Sequence, residues 1–150
     1  PEGARSMCSY CGCSSIAVIG RFMAEHEALI NATTDLRAGC HTGDQRRVEA
    51  AADRLATILH PHTHAEEVGV FALLREDPDF TEHVDRLCAE HVDLDARLAE
   101  LRSGAHDRYA GFEQALRTHI DREENGLFPA AAIAFAGPEW EQVAALTPPA

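Results

Sequence analysis

The pattern H-x-x-x-E-E-x-x-x-F occurs twice, at His62-Thr63-His64-Ala65-Glu66-Glu67-Val68-Gly69-Val70-Phe71 and at His119-Ile120-Asp121-Arg122-Glu123-Glu124-Asn125-Gly126-Leu127-Phe128. A shorter pattern, A-E-H, also occurs twice, as Ala24-Glu25-His26 and Ala89-Glu90-His91, each with a leucine three residues after the histidine. The two patterns alternate along the chain. This alternation constrains the fold more than any other feature, because it puts histidine and glutamate where an amphipathic helix should present apolar residues.

The stripes show this directly. Glycine and proline divide the chain into four long segments. Ser14 or Ser15 can cap a first helix running to about Arg37, with the stripe Ile16, Ile19, Met23, His26, Ile30, Thr33. Ala38 to Gly43 reads as a loop that holds His41, with Gly39 as the helix stop. Asp44 caps a second helix with the stripe Val48, Ala52, Leu55, Leu59, His62, Glu66, Val70, Leu73, ended by Asp77-Pro78-Asp79. Pro61 should kink it just before the motif, since proline removes a helix hydrogen bond. The third stripe is Val84, Leu87, His91, Leu94, Leu98, Leu101, ending at Ser103-Gly104. The fourth is Tyr109, Phe112, Leu116, His119, Glu123, Leu127, stopping before Gly137-Pro138. Spacings of three and four mark helices that pack side by side, and no stretch alternates as a strand. The expected fold is all-α, an up-down-up-down antiparallel four-helix bundle over residues 15–136. A Cys-rich arm precedes it at 1–14, and a tail at 137–150 carries a short helix around Trp140, Val143 and Leu146.

Register makes the polar stripe residues informative. His26, His62, His91 and His119 each replace an apolar residue on an inward face, as do Glu66 and Glu123. A carboxylate is almost never fully buried without a partner, and each unpaired buried charge costs several kcal/mol. Two would consume most of a stability of about 5–15 kcal/mol. Cations between the side chains remove that cost. Positions i and i+4 share a helix face, so each H-x-x-x-E unit aims an imidazole and a carboxylate at one place. Four histidines and two glutamates suit a two-metal site completed by a bridging oxide or hydroxide. Mixed nitrogen and oxygen donors favour iron, manganese or zinc.

The remaining histidines lie off register. His60 and His64 flank His62 and point away, and His41 and His106 fall near segment ends; all four read as solvated. His83, one position off the third stripe, is the exception, as a fifth nitrogen ligand. Cys8, Cys11 and Cys13 form C-x-x-C-x-C in the arm. His26 lies about 16 Å from its helix end, and an extended arm from Met7 to Cys13 reaches up to about 23 Å. These thiols can therefore approach the metals as ligand or reductant, or form a redox disulfide. Cys88, beside the third stripe, reads as a small core residue.

Composition narrows the rest. A chain of 150 residues fits one domain with a proper core. The net charge of −12 argues against nucleic acid as partner. No apolar run is long enough to span a bilayer, no segment reads as a secretion signal, and residues 1–6 look like a cloning remnant. Five unevenly spaced cysteines fit free thiols in a reducing cytoplasm.

Taken together, the paired H-x-x-x-E-E-x-x-x-F motifs and the two E-H helices resemble the haemerythrin-like (HHE cation-binding) domain, bacterial type, over roughly Ser15 to Phe135. The resemblance implies an oxygen-bridged non-haem di-iron centre held by His26, His62, Glu66, His91, His119 and Glu123. Invertebrate oxygen carriers of this kind have two histidines four apart on the third helix; here Leu87 stands four before His91. That loss should leave one metal with fewer nitrogens and more room. It shifts the expected activity from reversible oxygen carriage towards the branches linked to peroxide, nitric oxide or iron handling, with a small diatomic or peroxide as ligand. A sensing or iron-storage module, and an oxidase or oxygenase of an organic substrate, are the other functions such a centre can serve. The ferritin-like E-x-x-H motif occurs nowhere in the chain.

Overall fold

A computed structural model describes residues 16–150, which are helical with short connections and, among the described residues, no strand. Cys8, Cys11, Cys13 and the expected Ser14 or Ser15 cap lie outside the described residues. The elements are α1 (Ala17–Thr42), α2 (Gln45–Val68), α3 (Val70–Arg75), α4 (Pro78–Arg102), α5 (Tyr109–Arg122), α6 (Phe128–Ala134) and α7 (Gly137–Leu146). A short 3-10 turn, His106–Arg108, leads into α5, and a π-helical turn, Glu123–Leu127, joins α5 to α6. The long helices α1, α2, α4 and α5 form an all-α bundle in which α1 packs on α2 and α5, and α4 packs on the same two. No described helix is long and apolar enough to cross a membrane.

The ends of these helices follow local chemistry. Asp44 accepts a bond from the Arg47 amide and caps α2. Asp77 does the same for Asp79 at the start of α4, where Pro78 occupies the first turn. Helix α1 runs five residues beyond the expected end, to Thr42, and Gly43 closes it with φ 72°. His41 therefore lies in the last turn of α1 and not in a loop. Gly39 is not a stop: it is buried inside α1, where a Cβ would meet Val48 Cγ2 at 3.0 Å and the Val48 amide nitrogen at 3.1 Å. Its value is close approach of α1 and α2, which a side chain would block.

Two further expectations, each of one unbroken segment, are corrected. The second segment's helix contains Pro61 on its exposed side and does not run on to Asp77; it breaks at Gly69, between α2 and α3. Gly69 is held against the C-terminal segment, since a Cβ there would lie 2.3 Å from Thr147 Oγ1. The fourth segment is not one uniform α-helix either: its regular ladder opens into the π turn at Glu123. Both departures fall within E-E-x-G-x-F and contain its glycine, a correspondence that the chain carries in its sequence.

Apolar residues form two clusters with a polar layer between them. One contains Ile19, Phe22, Val70, Phe71, Leu87 and Phe128, and is sealed outside by Val143 of α7 and the Phe135–Trp140 edge contact at 5.2 Å. The other contains Leu29, Leu55, Leu59, Leu94, Phe112 and Leu116. On α1, His26 falls between Phe22 and Leu29; on α4, His91 falls between Leu87 and Leu94. His62 with Glu66, and His119 with Glu123, occupy the same level on the other two helices. The helical period carries the stripe through this level unchanged in direction, so these six side chains face inward between two hydrocarbon layers.

Candidate metal centre

His26, His62, Glu66, His91, His119 and Glu123 are all buried, each glutamate completely. They form two groups: His26, His62, Glu66 and Glu123, and then Glu66, His91, His119 and Glu123. Within each group, one nitrogen or oxygen from every residue lies within 4.8 Å of the others. The two carboxylates belong to both groups, so the arrangement has two compartments with a shared wall. It is nearly two-fold symmetric. The His26 and His62 rings are 4.7 Å apart at 70°, and the His91 and His119 rings are 4.7 Å apart at 67°.

Leu87, four before His91, is a fully buried member of the apolar cluster and brings no nitrogen to either compartment; each has two imidazoles. His83 lies apart from both. It is half-buried, joins neither group, and sits over Gly126, where a Cβ would be 3.6 Å from its Cε1. Burial, reinforced by Arg86 and Arg122, lowers the affinity of His83 for a proton. His60 and His64 are exposed, and His60 pairs with Asp95 at 2.6 Å. His106 bonds Gln45. Cys88 packs half-buried against the first apolar cluster, as expected.

Behind the inner six stands a second layer that sequence reasoning missed. Each inward histidine is bonded at Nδ1 by a glutamate from another helix. Glu25 bonds His62 at 2.7 Å, Glu67 bonds His91 at 2.6 Å, Glu90 bonds His119 at 2.8 Å, and Glu124 bonds His26 at 2.7 Å. The path closes on itself around the bundle: α1 to α2, α2 to α4, α4 to α5, and the turn after α5 back to α1. Glu25 is further held by Arg21 at 3.0 Å, and Glu90 by Arg122. The signal was present in the sequence. These are the glutamate of each A-E-H and the second glutamate of each E-E. The phenylalanine that ends each long motif is the other missed element. Phe71 stacks on His91 at 5.7 Å and Phe128 on His26 at 6.1 Å. Glu67 and Phe71 meet His91 from either side of the Gly69 break, and Glu124 and Phe128 meet His26 across the π turn, so each pair grips one histidine.

These bonds fix the chemistry of the rings. Burial pushes the Glu25 carboxyl up, but His62 and Arg21 outweigh it and the net shift is down, so Glu25 is an acceptor. An ionised carboxylate at Nδ1 requires that nitrogen to carry the proton, which leaves Nε2 as the inward atom. The four Nε2 atoms and the four oxygens of Glu66 and Glu123 are buried and have no hydrogen-bond partner. Distances between them are short, from 3.0 Å for His26 to Glu123 to 3.8 Å for His91 to Glu123. These are ion-pair distances without hydrogen-bond geometry, so the inward atoms converge on common points. Buried polar atoms are normally satisfied, and a set of nitrogen and oxygen donors aimed at two common points fits metal ions.

Without a cation, charge must balance another way. Burial lowers the pKa of His62, but Glu66 and Glu25 overcome it and push it up to about 9. His91 is pushed to about 11 by Glu123 and Glu66 against the same burial. Burial and the Glu66 charge raise Glu123, yet His119 and His26 bring it down to about 2. Proton and metal therefore compete for the same inward nitrogens.

A search of curated proteins and one of solved structures give no significant match. The family model described as Hemerythrin HHE cation binding domain matches residues 17–131, a span that contains both long motifs, both A-E-H motifs and the whole buried centre. The chain belongs to the hemerythrin HHE cation-binding domain family.

Proposed function

We propose that this protein is a non-haem di-iron protein that binds or reacts with dioxygen, peroxide or nitric oxide. The observation that carries the reading is the set of buried, unpartnered donor atoms in two compartments sharing two carboxylates. His26 and His62 would hold one ion, His91 and His119 the other, and Glu66 and Glu123 both. Four protein donors to each ion fall short of the six that iron commonly takes, which leaves room for an oxide or hydroxide bridge and a small ligand. Manganese or zinc would fit the same donors. An iron pair held there supplies one- and two-electron redox chemistry.

The chain's own residues select what arrives. The phenylalanine rings over His26 and His91, with Phe22 edge-on to His62 at 5.6 Å, exclude bulk water from one side. A cleft of about 380 Å³ reaches His26 between α1 and α5. It is lined by Glu27, Ile30, Asn31, Ile120 and Glu124. Two carboxylates at this entrance, on a chain of net charge −12, repel anions and admit small uncharged molecules. Dioxygen, nitric oxide and hydrogen peroxide are of that class.

The test is stopped-flow absorption of protein loaded anaerobically with ferrous iron and mixed separately with each of the three molecules. The expected result is a rapid spectral change with at least one, slowed or lost in His119→Ala. No reaction with any of them overturns the proposal.

A further inference from the structure

The outer glutamates are not equivalent, and the difference assigns them two jobs. Glu25 lies beside His26 in the chain and bonds His62; both histidines belong to the first compartment. Glu90 lies beside His91 and bonds His119; both belong to the second. These two bonds stay within a compartment, and each of these glutamates is braced by an arginine. Glu67 and Glu124 cross over. Glu67 follows Glu66 on the helix that gives His62 to the first compartment, yet it bonds His91 of the second. Glu124 follows Glu123 after the helix that gives His119 to the second, yet it bonds His26 of the first. Phe71 and Phe128 stack on these same two crossed histidines.

We propose that Glu67 and Glu124 are positioning residues that make the two compartments load as one unit, while Glu25 and Glu90 each serve one compartment. This deepens the two-ion reading and rests on it. An ion drawn to His62 and Glu66 fixes the backbone of the first long motif. Glu67 and Phe71 are part of that backbone, so they set His91 for the second ion. The second long motif returns the effect through Glu124 and Phe128 to His26. Ordering done by the first ion need not be repeated for the second, which is positive cooperativity. Repulsion between two cations opposes it, so steep loading is not a default outcome of shared carboxylates.

The experiment titrates metal-free protein with cobalt(II), reading bound ion by calorimetry and ligand-field absorption. The wild type should take two ions per chain in one steep transition. Glu67→Gln and Glu124→Gln keep size and an acceptor oxygen. Each should still reach two ions, but in two separate steps, the second weaker by about tenfold to a hundredfold, the usual range for a residue behind a ligand. Glu25→Gln and Glu90→Gln should weaken binding without splitting the transition. Melting of each metal-free variant confirms folding, and Glu67 and Glu124 test the idea independently. If the crossing variants titrate as steeply as the wild type, or all four behave alike, the coupling is wrong although the two-ion reading stands. A wild type that binds no ion or one overturns both.

Discussion

At the scale of single residues, His62 and Glu123 fix how the metal-free protein responds to pH. The folded pKa of His62, about 9, lies above its ordinary 6.5. Its contribution to stability is therefore complete below about 6.5 and is lost as pH rises through 9. The folded pKa of Glu123, about 2, lies below its ordinary 4.5, so its contribution is present above 4.5 and is lost as pH falls through 2. Metal-free protein should thus melt highest between about pH 4.5 and 6.5, and melting temperature should decline on the alkaline side. Loading must expel the Nε2 protons, so adding metal at neutral pH should release protons into a weakly buffered solution. In loaded protein the alkaline decline should be absent up to about pH 9. Thermal melts across pH with and without chelator check this, and a metal-free profile flat from pH 6 to 10 would contradict it.

The inner residues were legible because each breaks an apolar stripe, and burial of a charge demands a reason. The outer glutamates break no stripe. They sit one position away, where a surface carboxylate is ordinary, so only their recurrence in A-E-H and E-E betrayed them. His83 shows the converse: nearness to the stripe in sequence is not nearness to the convergence point, and it joins neither group.

At the scale of elements, Gly39 opposes two effects that differ in sign. Alanine is favoured over glycine inside a helix by about 1 kcal/mol. A Cβ at this position, however, meets the Val48 backbone nitrogen at 3.1 Å, which cannot swing aside as a side-chain tip would. Overpacking of a close helix contact costs about 1–3 kcal/mol. Gly39→Ala should therefore destabilise the protein by up to about 2 kcal/mol in denaturant unfolding, and a gain in stability would show that α1 and α2 can separate at no cost. Gly69→Ala should also destabilise, and Thr147→Ala in that background should restore part of the loss by removing the oxygen 2.3 Å from the new Cβ. Element ends were only partly readable for this reason. The caps at Asp44 and Asp77 act locally and were visible in sequence. The extension of α1 past Gly39 and the break at Gly69 are decided by what packs against them, Val48 and Thr147, which no local signal names.

At the scale of the whole molecule, two apolar layers carry the fold and the polar layer between them carries the chemistry. Stability and metal content should therefore respond to different substitutions. Leu55 is fully buried in the second cluster, and Leu55→Ala should cost about 2–5 kcal/mol while leaving metal stoichiometry unchanged. The bundle class was readable because four stripes with short connections leave few other arrangements. The near two-fold symmetry is contained in the alternating motifs, but which histidine pairs with which is set by the packing of one helix on another.

The most direct test of the account is the iron content of protein reconstituted anaerobically, desalted and weighed against chain concentration. Because Glu66 and Glu123 each serve both compartments, wild type should hold two ions per chain, and Glu123→Ala should lose both while remaining folded. A wild type with fewer than two ions, or a Glu123→Ala variant that keeps two, would contradict the claim that this layer exists to hold a metal pair.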